Sequence, residues 1–168
     1  MLSLSHIQRM TVPIGMFEHC RGFTPDPAEG LTTDDNARAL QLMLRLQKPA
    51  TSGVGLVYPE QSRRDSPEVS RKLLPVYFRF LTDAGTGAGF HNERLIDGTW
   101  EDEGGIGDWL GRAMLALADT AVLGPEKLRV PAQTLFDEKI PCIKMVGSIH
   151  TIALLLEAVC QRANASFI

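Results

Sequence analysis

The sequence predicts an all-α protein, and three observations carry that prediction. Apolar residues recur at helical spacing in six separate runs. Ser, Thr and Pro stand where those runs begin. Only one stretch, near 88–100, carries a hairpin signature.

Taken in order, residues 3–11 make a short first helix that stops before Pro13, followed by the Gly- and Pro-rich loop "PIGMFEHCRGFTPDPAEGL". Thr33 is placed to cap a second helix, whose apolar run is Ala37, Leu40, Met43, Leu44 and Leu46 and which ends near Gln47. Residues 48–65 read as loop, with a short ordered piece at "GLVYP". Ser66 and Pro67 supply a cap and a proline at the first helical position of a third helix. Pro75 inside it predicts a kink or restart, and Gly85, Gly87 and Gly89 close it. "GFHNERLIDGTW" places Asp97-Gly98 between two short runs, the mark of a small β-hairpin or ordered loop. The fourth helix runs from about Gly107 to Val122 on Leu110, Met114, Leu115, Leu117 and Ala118. Pro125 opens a fifth, to about Glu138, and Ser148 caps a sixth carried by "IHTIALLLEAVCQRA".

With 168 residues the chain fits one domain, 1–168, and is long enough to bury a core. Its 17 basic and 20 acidic side chains are scattered, so there is no electrostatic footprint for nucleic acid or an anionic membrane. Cys20, Cys142 and Cys160 are widely spaced, which fits reduced cytosolic thiols and neither a zinc knuckle nor a disulfide framework. "MLSLSHIQRM" is not a signal peptide, and the longest apolar stretch, "IALLLEAV", is too short to span a bilayer. The expectation is a cytoplasmic protein with no membrane partner.

A repeat lies beneath the helical pattern. With Asp34 set on Asp108, Arg38 falls on Arg112, Ala39 on Ala113, Leu40 on Met114 and Ala37 on Gly111. A fainter third copy begins at Ser148 and keeps Thr151, Ala153 and Leu154, with Ile152 in place of the arginine. The copies fall on every second helix, as in stacked helical hairpins, so three helix N-termini share one end. Small residues at Ala37, Ala39, Gly111 and Ala113 let these helices approach closely. Asp34 and Asp108 are expected to cap their helices and to pair with Arg38 and Arg112 four residues on, giving the arginines a structural role. The functional alternative for the aspartates is a ring of acids around a polar mouth.

"GMFEHC", "TPDPAEGLTTDDNARAL", "AGFHN", "WEDE" and "GGIGDWLGRAMLAL", in that order over residues 6–120, resemble a bacterial family of α/α-toroid domains. That family occurs with glycosyltransferase or mannoside-phosphorylase modules. The resemblance implies an (α/α) toroid, of which this chain supplies about three hairpins, a half-toroid. It also implies an oligosaccharide or polysaccharide partner held in the mouth at the inner-helix N-termini. No cofactor is expected, and a His-Asp metal site finds no supporting ligand spacing on one helix, so no metal is expected either. By the same resemblance Asp35, Glu103 and Asp108 are candidate catalytic carboxylates, and His19, Asp34, His91, Asp102 and Trp100 are candidates for substrate binding. Glycoside cleavage needs one protonated carboxyl and one carboxylate, about 5–5.5 Å apart for retention and about 6.5–9.5 Å for inversion. The blander account makes Asp102 and Glu103 a solvated loop run, His19 and His91 loop anchors, and Trp109 a core or interface residue. "GTGAG" is not followed by a helix start and so is no phosphate loop.

The chain departs from the family pattern at Glu18, Leu31, Ile106, Gly107, Trp109 and Leu110, several of which replace polar groups by apolar ones. A second reading follows, a catalytically inactive half-toroid acting as a dimerisation or protein-interaction module. An open half-ring exposes apolar flanks, which a homodimer or the remainder of a longer chain would cover.

Overall fold

The computed structural model describes residues 4–47 and 60–165. Among them are six α-helices: α1 (Ser5–Met10), α2 (Thr33–Leu46), α3 (Glu60–Ala84), α4 (Asp108–Leu123), α5 (Glu126–Lys139) and α6 (Ile149–Ala165). Strand pairing among the described residues, apart from isolated bridges, is confined to four two-residue antiparallel ladders. They pair β1 (Thr11–Val12) with β2 (Gly15–Met16), β3 (Cys20–Arg21) with β4 (Thr24–Pro25), β5 (Leu31–Thr32) with β8 (Glu93–Arg94), and β6 (Gly85–Thr86) with β7 (Gly89–Phe90). The protein is mostly helical, as its periodicity requires.

The start of α2 differs by one residue from expectation. Thr32 is the cap, its Oγ1 accepting from Asp35 N at 3.3 Å. Thr33 is engaged elsewhere: its N–H donates to Asn92 O (2.9 Å) and its hydroxyl to His91 O (2.6 Å). The long-range partner displaces the local role, because a buried hydroxyl must be satisfied wherever the fold puts an acceptor. Asp34 and Asp35 then occupy the first turn, where their charge suits the positive helix end.

From Glu60 the chain is helical, so the expected loop ends earlier than Asp65, and "GLVYP" lies outside the described residues. One helix, α3, continues through both Pro67 and Pro75 with no restart at either. An interior proline costs about 3 kcal/mol. Six large apolar side chains on this helix, Leu73, Leu74, Tyr77, Phe78, Phe80 and Leu81, are buried, and each contributes roughly 1.5–3 kcal/mol. Packing outweighs the local break.

The packing order is α3 on α2, α2 on α4, and α4 on both α5 and α6. Helix α4 is central, and its sequence says why: Leu110, Gly111, Ala113, Met114, Leu115, Ala116, Leu117 and Ala118 are all buried, so it is apolar on every side. Gly111 sets the approach of α6, since a Cβ there would stand 3.1 Å from Leu154 Cβ and 3.2 Å from Thr151 Cγ2. Gly111→Val is therefore expected to destabilise the protein by about 1–3 kcal/mol through overpacking. Urea unfolding measures this, and an unchanged midpoint would contradict the close α4–α6 contact.

The expected turn at Asp97-Gly98 is present. Arg94 pairs with Trp100 across it, Leu95 N donates to Thr99 O (2.8 Å), and Gly98 has φ +92°. No helix among the described residues is long and apolar enough to cross a membrane.

Candidate functional site

The N-terminal ends of α2, α4 and α6 meet, joined by a chain of polar contacts. Asp34 Oδ2 accepts from Arg38 Nη2 at 2.7 Å, the expected pair four residues apart. Its Oδ1 stands 3.2 Å from Arg112 Nε, not aligned for a hydrogen bond, so this contact is an ion pair between α2 and α4. Arg112 Nη2 lies 3.3 Å from His150 Nε2, and His150 Nδ1 lies 3.1 Å from Asp108 Oδ2. A guanidinium can only donate, so Nε2 is the acceptor and Nδ1 carries the proton given to Asp108. Asp108 Oδ1 also accepts from Ser148 Oγ (3.0 Å) and Thr151 Oγ1 (2.5 Å).

Two expectations are corrected here. Neither aspartate caps its helix: Thr32 caps α2, and Gly107 precedes α4 with no side-chain cap. Arg112 does not pair with Asp108 four residues before it but with Asp34 on the neighbouring helix. Each aspartate reaches forward to the next helix of the series. For Asp108 the partners are Ser148, just before α6, and His150 and Thr151 on it, which between them engage both carboxylate oxygens. Its bonds from Thr151, His150 and Ser148 hold the Asp108 carboxyl below the usual range. Burial raises that of Asp34, with Arg38 and Arg112 opposing the rise and Asp35 and Asp108 adding to it.

Beside this chain lies an acidic group built on strands. β5 runs directly into α2, with Phe17 bridged to Leu31 on one side and Glu93 paired with Thr32 on the other. Glu18 N donates to Gly30 O at 3.1 Å. Three adjoining segments thus bring Glu18, Asp35 and Glu93 to one edge. Burial pushes the Glu18 carboxyl up, His19 opposes this, and Asp35, Glu93 and Glu29 add to it. Asp35 accepts from Thr32 Oγ1 (3.2 Å) and Arg38 Nη1 (3.4 Å). His19 is exposed, 3.8 Å from Glu18 Oε2.

Asp102 holds the loop behind. Its Oδ2 accepts from Asn92 N and Glu93 N, both at 2.7 Å, and its Oδ1 from Gly104 N at 2.7 Å. His91 Nδ1 stands 2.7 Å from Asp102 O and 3.2 Å from Oδ1. The His91 ring stacks on Trp100 at 4.9 Å; Trp100 in turn meets Phe80 edge-on and lies under Arg94. Wedged in this way, Trp100 is a packing residue and not an open platform for a sugar ring. Trp109 is similarly engaged: its Nε1 donates to Phe90 O (2.8 Å), and its ring covers Gly107 so closely that a Cβ there would collide with it.

Of the candidates, Asp34, Asp35 and Asp108 share the helix-start end, and His91 and Asp102 are tied to it through Thr33, Asn92 and Glu93. Glu103 is exposed, and among the described residues no hydrogen bond or ion pair of its side chain joins it to the cluster. Among the described residues no group of three or more His, Cys, Asp or Glu is arranged to hold a metal ion. Sequence reasoning missed Glu93 and His150 and noted Glu18 only as a departure. The signal for His150 was available in "SIHTIAL", the third copy of the repeat. No family model, curated protein or solved structure matches the chain.

Proposed function

We propose that this protein handles carbohydrate through the acid-lined edge beside the α2 start, and that its helices form the first half of an (α/α) toroid with α2, α4 and α6 inside. The observation that carries this reading is the convergence of Glu18, Asp35 and Glu93 from three adjoining segments, next to the joined starts of three alternate helices. The motif resemblance over residues 6–120 points to the same class of ligand. Glycoside cleavage assigns the proton donor to Glu18, whose carboxyl burial keeps protonated to higher pH, and the second carboxylate role to Asp35. Asp108 is a fastener in this reading, since both its oxygens are bonded to α6 or to the residues just before it.

A panel of α- and β-linked oligosaccharides tests it. Glu18→Gln and Asp35→Asn are each expected to lower kcat about 1000-fold with binding retained. The alkaline limb of the rate profile, set by loss of the Glu18 proton, is expected to disappear in Glu18→Gln. Equal turnover by wild type and Asp35→Asn would remove Asp35 from the mechanism, and absence of any oligosaccharide binding by calorimetry would remove the carbohydrate reading. The second reading, an association module, is favoured by the bonds that engage Asp34, Asp102 and Asp108 and by an apolar flank on α6.

A further inference from the structure

An open cleft of about 620 Å³ lies between the middle of α3 and the turn that joins α4 to α5. Gln47, the C-cap of α2, and Gly124, the C-cap of α4, stand on its wall. The cleft is therefore at the other end of these helices from the acid-lined edge. The 14 residues of α2 put about 20 Å between the two. Its volume falls within the roughly 300–1,000 Å³ of small-molecule sites. Pro67 and Pro75 from α3, with Leu123 and Leu128, give it an apolar floor, and all four are at least partly exposed.

Charge decides what fits this floor. Arg71, Lys127 and Arg129 line the cleft, and no Asp or Glu does. Arg71 Nε donates to Pro67 O at 3.2 Å, and Arg129 Nε donates to Gly124 O at 2.7 Å. Both carbonyls belong to the lining, so each guanidinium is anchored to the cleft wall through its inner nitrogen. Among the described residues the terminal Nη groups of both have no partner, and none of the three cations pairs with a carboxylate. A guanidinium held in this way presents its terminal N–H donors to a carboxylate or phosphate. Residues 48–59, which continue the chain from Gln47, contain no Asp or Glu and so bring no counter-charge. Glu68 and Glu126 are exposed and outside the lining.

We infer that this cleft binds a small organic anion with an apolar body. The carboxylate or phosphate head meets Arg71, Lys127 and Arg129, and the body covers Pro75, Leu123 and Leu128. Neither half of the site suffices alone. The three cations are exposed, so water and salt screen them, and a bare ion is held weakly. An apolar floor alone takes a neutral body as readily as a charged one. The site is independent of the carbohydrate reading, because Glu18, Asp35 and Glu93 take no part in it.

Calorimetric titration with octanoate, octyl phosphate, octanol and inorganic phosphate tests it. At least one of the two amphiphilic anions is expected to bind once per chain with a Kd below about 1 mM. Octanol, which has the body without the charge, and inorganic phosphate, which has the charge without the body, are expected to bind at least about tenfold more weakly. Which of octanoate and octyl phosphate binds better identifies the head group. Arg71→Gln, Lys127→Gln and Arg129→Gln are each expected to weaken binding about tenfold, the loss of one charge-assisted contact. Lys72→Gln is the control: Lys72 is exposed on α3 but outside the lining, and its loss should change little. All four side chains are exposed, and unchanged thermal melts show that the variants remain folded. Failure of both amphiphilic anions to bind would overturn the inference. So would octanol binding as well as octanoate, inorganic phosphate binding as well as octyl phosphate, or Lys72→Gln weakening binding as much as Lys127→Gln.

Discussion

Gly89→Ala is expected to lower the stability of this protein by about 3 kcal/mol or more, at the severe end for a single added methyl group. Gly89 opens β7 with φ +138°, a backbone conformation that side-chain-bearing residues rarely adopt. A Cβ at this position would also collide with the carbonyl oxygen of Gly105. That carbonyl accepts from Phe90 N at 3.1 Å, and Gly105 N returns a bond to Phe90 O at 2.9 Å. Phe90 O is the acceptor for Trp109 as well. The methyl group therefore strikes the seam where the 89–105 loop closes onto the start of α4, and neither backbone can yield without losing these bonds. Gly87→Ala is the matched control, because a Cβ there meets nothing within 4 Å. Urea unfolding of the two variants should separate them clearly, with Gly87→Ala within about 0.5 kcal/mol of wild type. Equal stabilities would mean that the seam is not closed as described.

The contrast between these two glycines marks what a sequence discloses. Both stand in "GTGAG", where spacing alone treats them alike, and the difference lies in a carbonyl sixteen residues further along the chain. The helices were legible because their signals are local. The runs around Leu40, Leu117 and Leu155 repeat at helical spacing, and Pro125 and Ser148 stand at the starts of α5 and α6. The errors arose where a distant partner overrides a local preference. Thr33 lost its cap role to the His91–Asn92 backbone, and Pro67 and Pro75 were carried through by the buried face of α3.

The candidate site divides along the same line. The repeat correctly put Asp34 and Asp108 at one end, since alternate helices return to the same side. Their partners followed from geometry between helices, and the spacing rule that paired Asp34 with Arg38 gave the wrong partner for Arg112. Glu18 and Glu93 become neighbours of Asp35 only because β5 is flanked on both sides, a strand arrangement too short to leave an alternating pattern. Conversely, Trp100 looked available for stacking on a sugar because nothing in "DGTWEDE" reveals that His91, Phe80 and Arg94 enclose it.

Asp102→Asn is the second large effect expected, a loss of about 2–3 kcal/mol at neutral pH. Burial opposes the charged form of Asp102, but the N–H groups of Glu93, Asn92 and Gly104, with His91, outweigh it and hold its carboxyl below the usual range. An amide in its place turns one acceptor into a donor facing backbone N–H groups, leaving at least one of them unpaired. The sign of the pH dependence follows from the lowered value. The stabilisation is fully present above the ordinary carboxylate pKa of about 3.9 and is lost as pH falls through the lower value in the folded protein. The gap between wild type and Asp102→Asn in urea unfolding should therefore be constant near neutrality and narrow below about pH 4. A gap that persists unchanged into acid would show that the carboxylate charge is not its source. Because the same two N–H bonds fix Asn92, which holds the first turn of α2, and Glu93, which lies in the acidic group, the variant should also disturb the proposed oligosaccharide binding at pH values where the fold itself remains intact. In this way a loop fastening and the candidate site depend on one side chain.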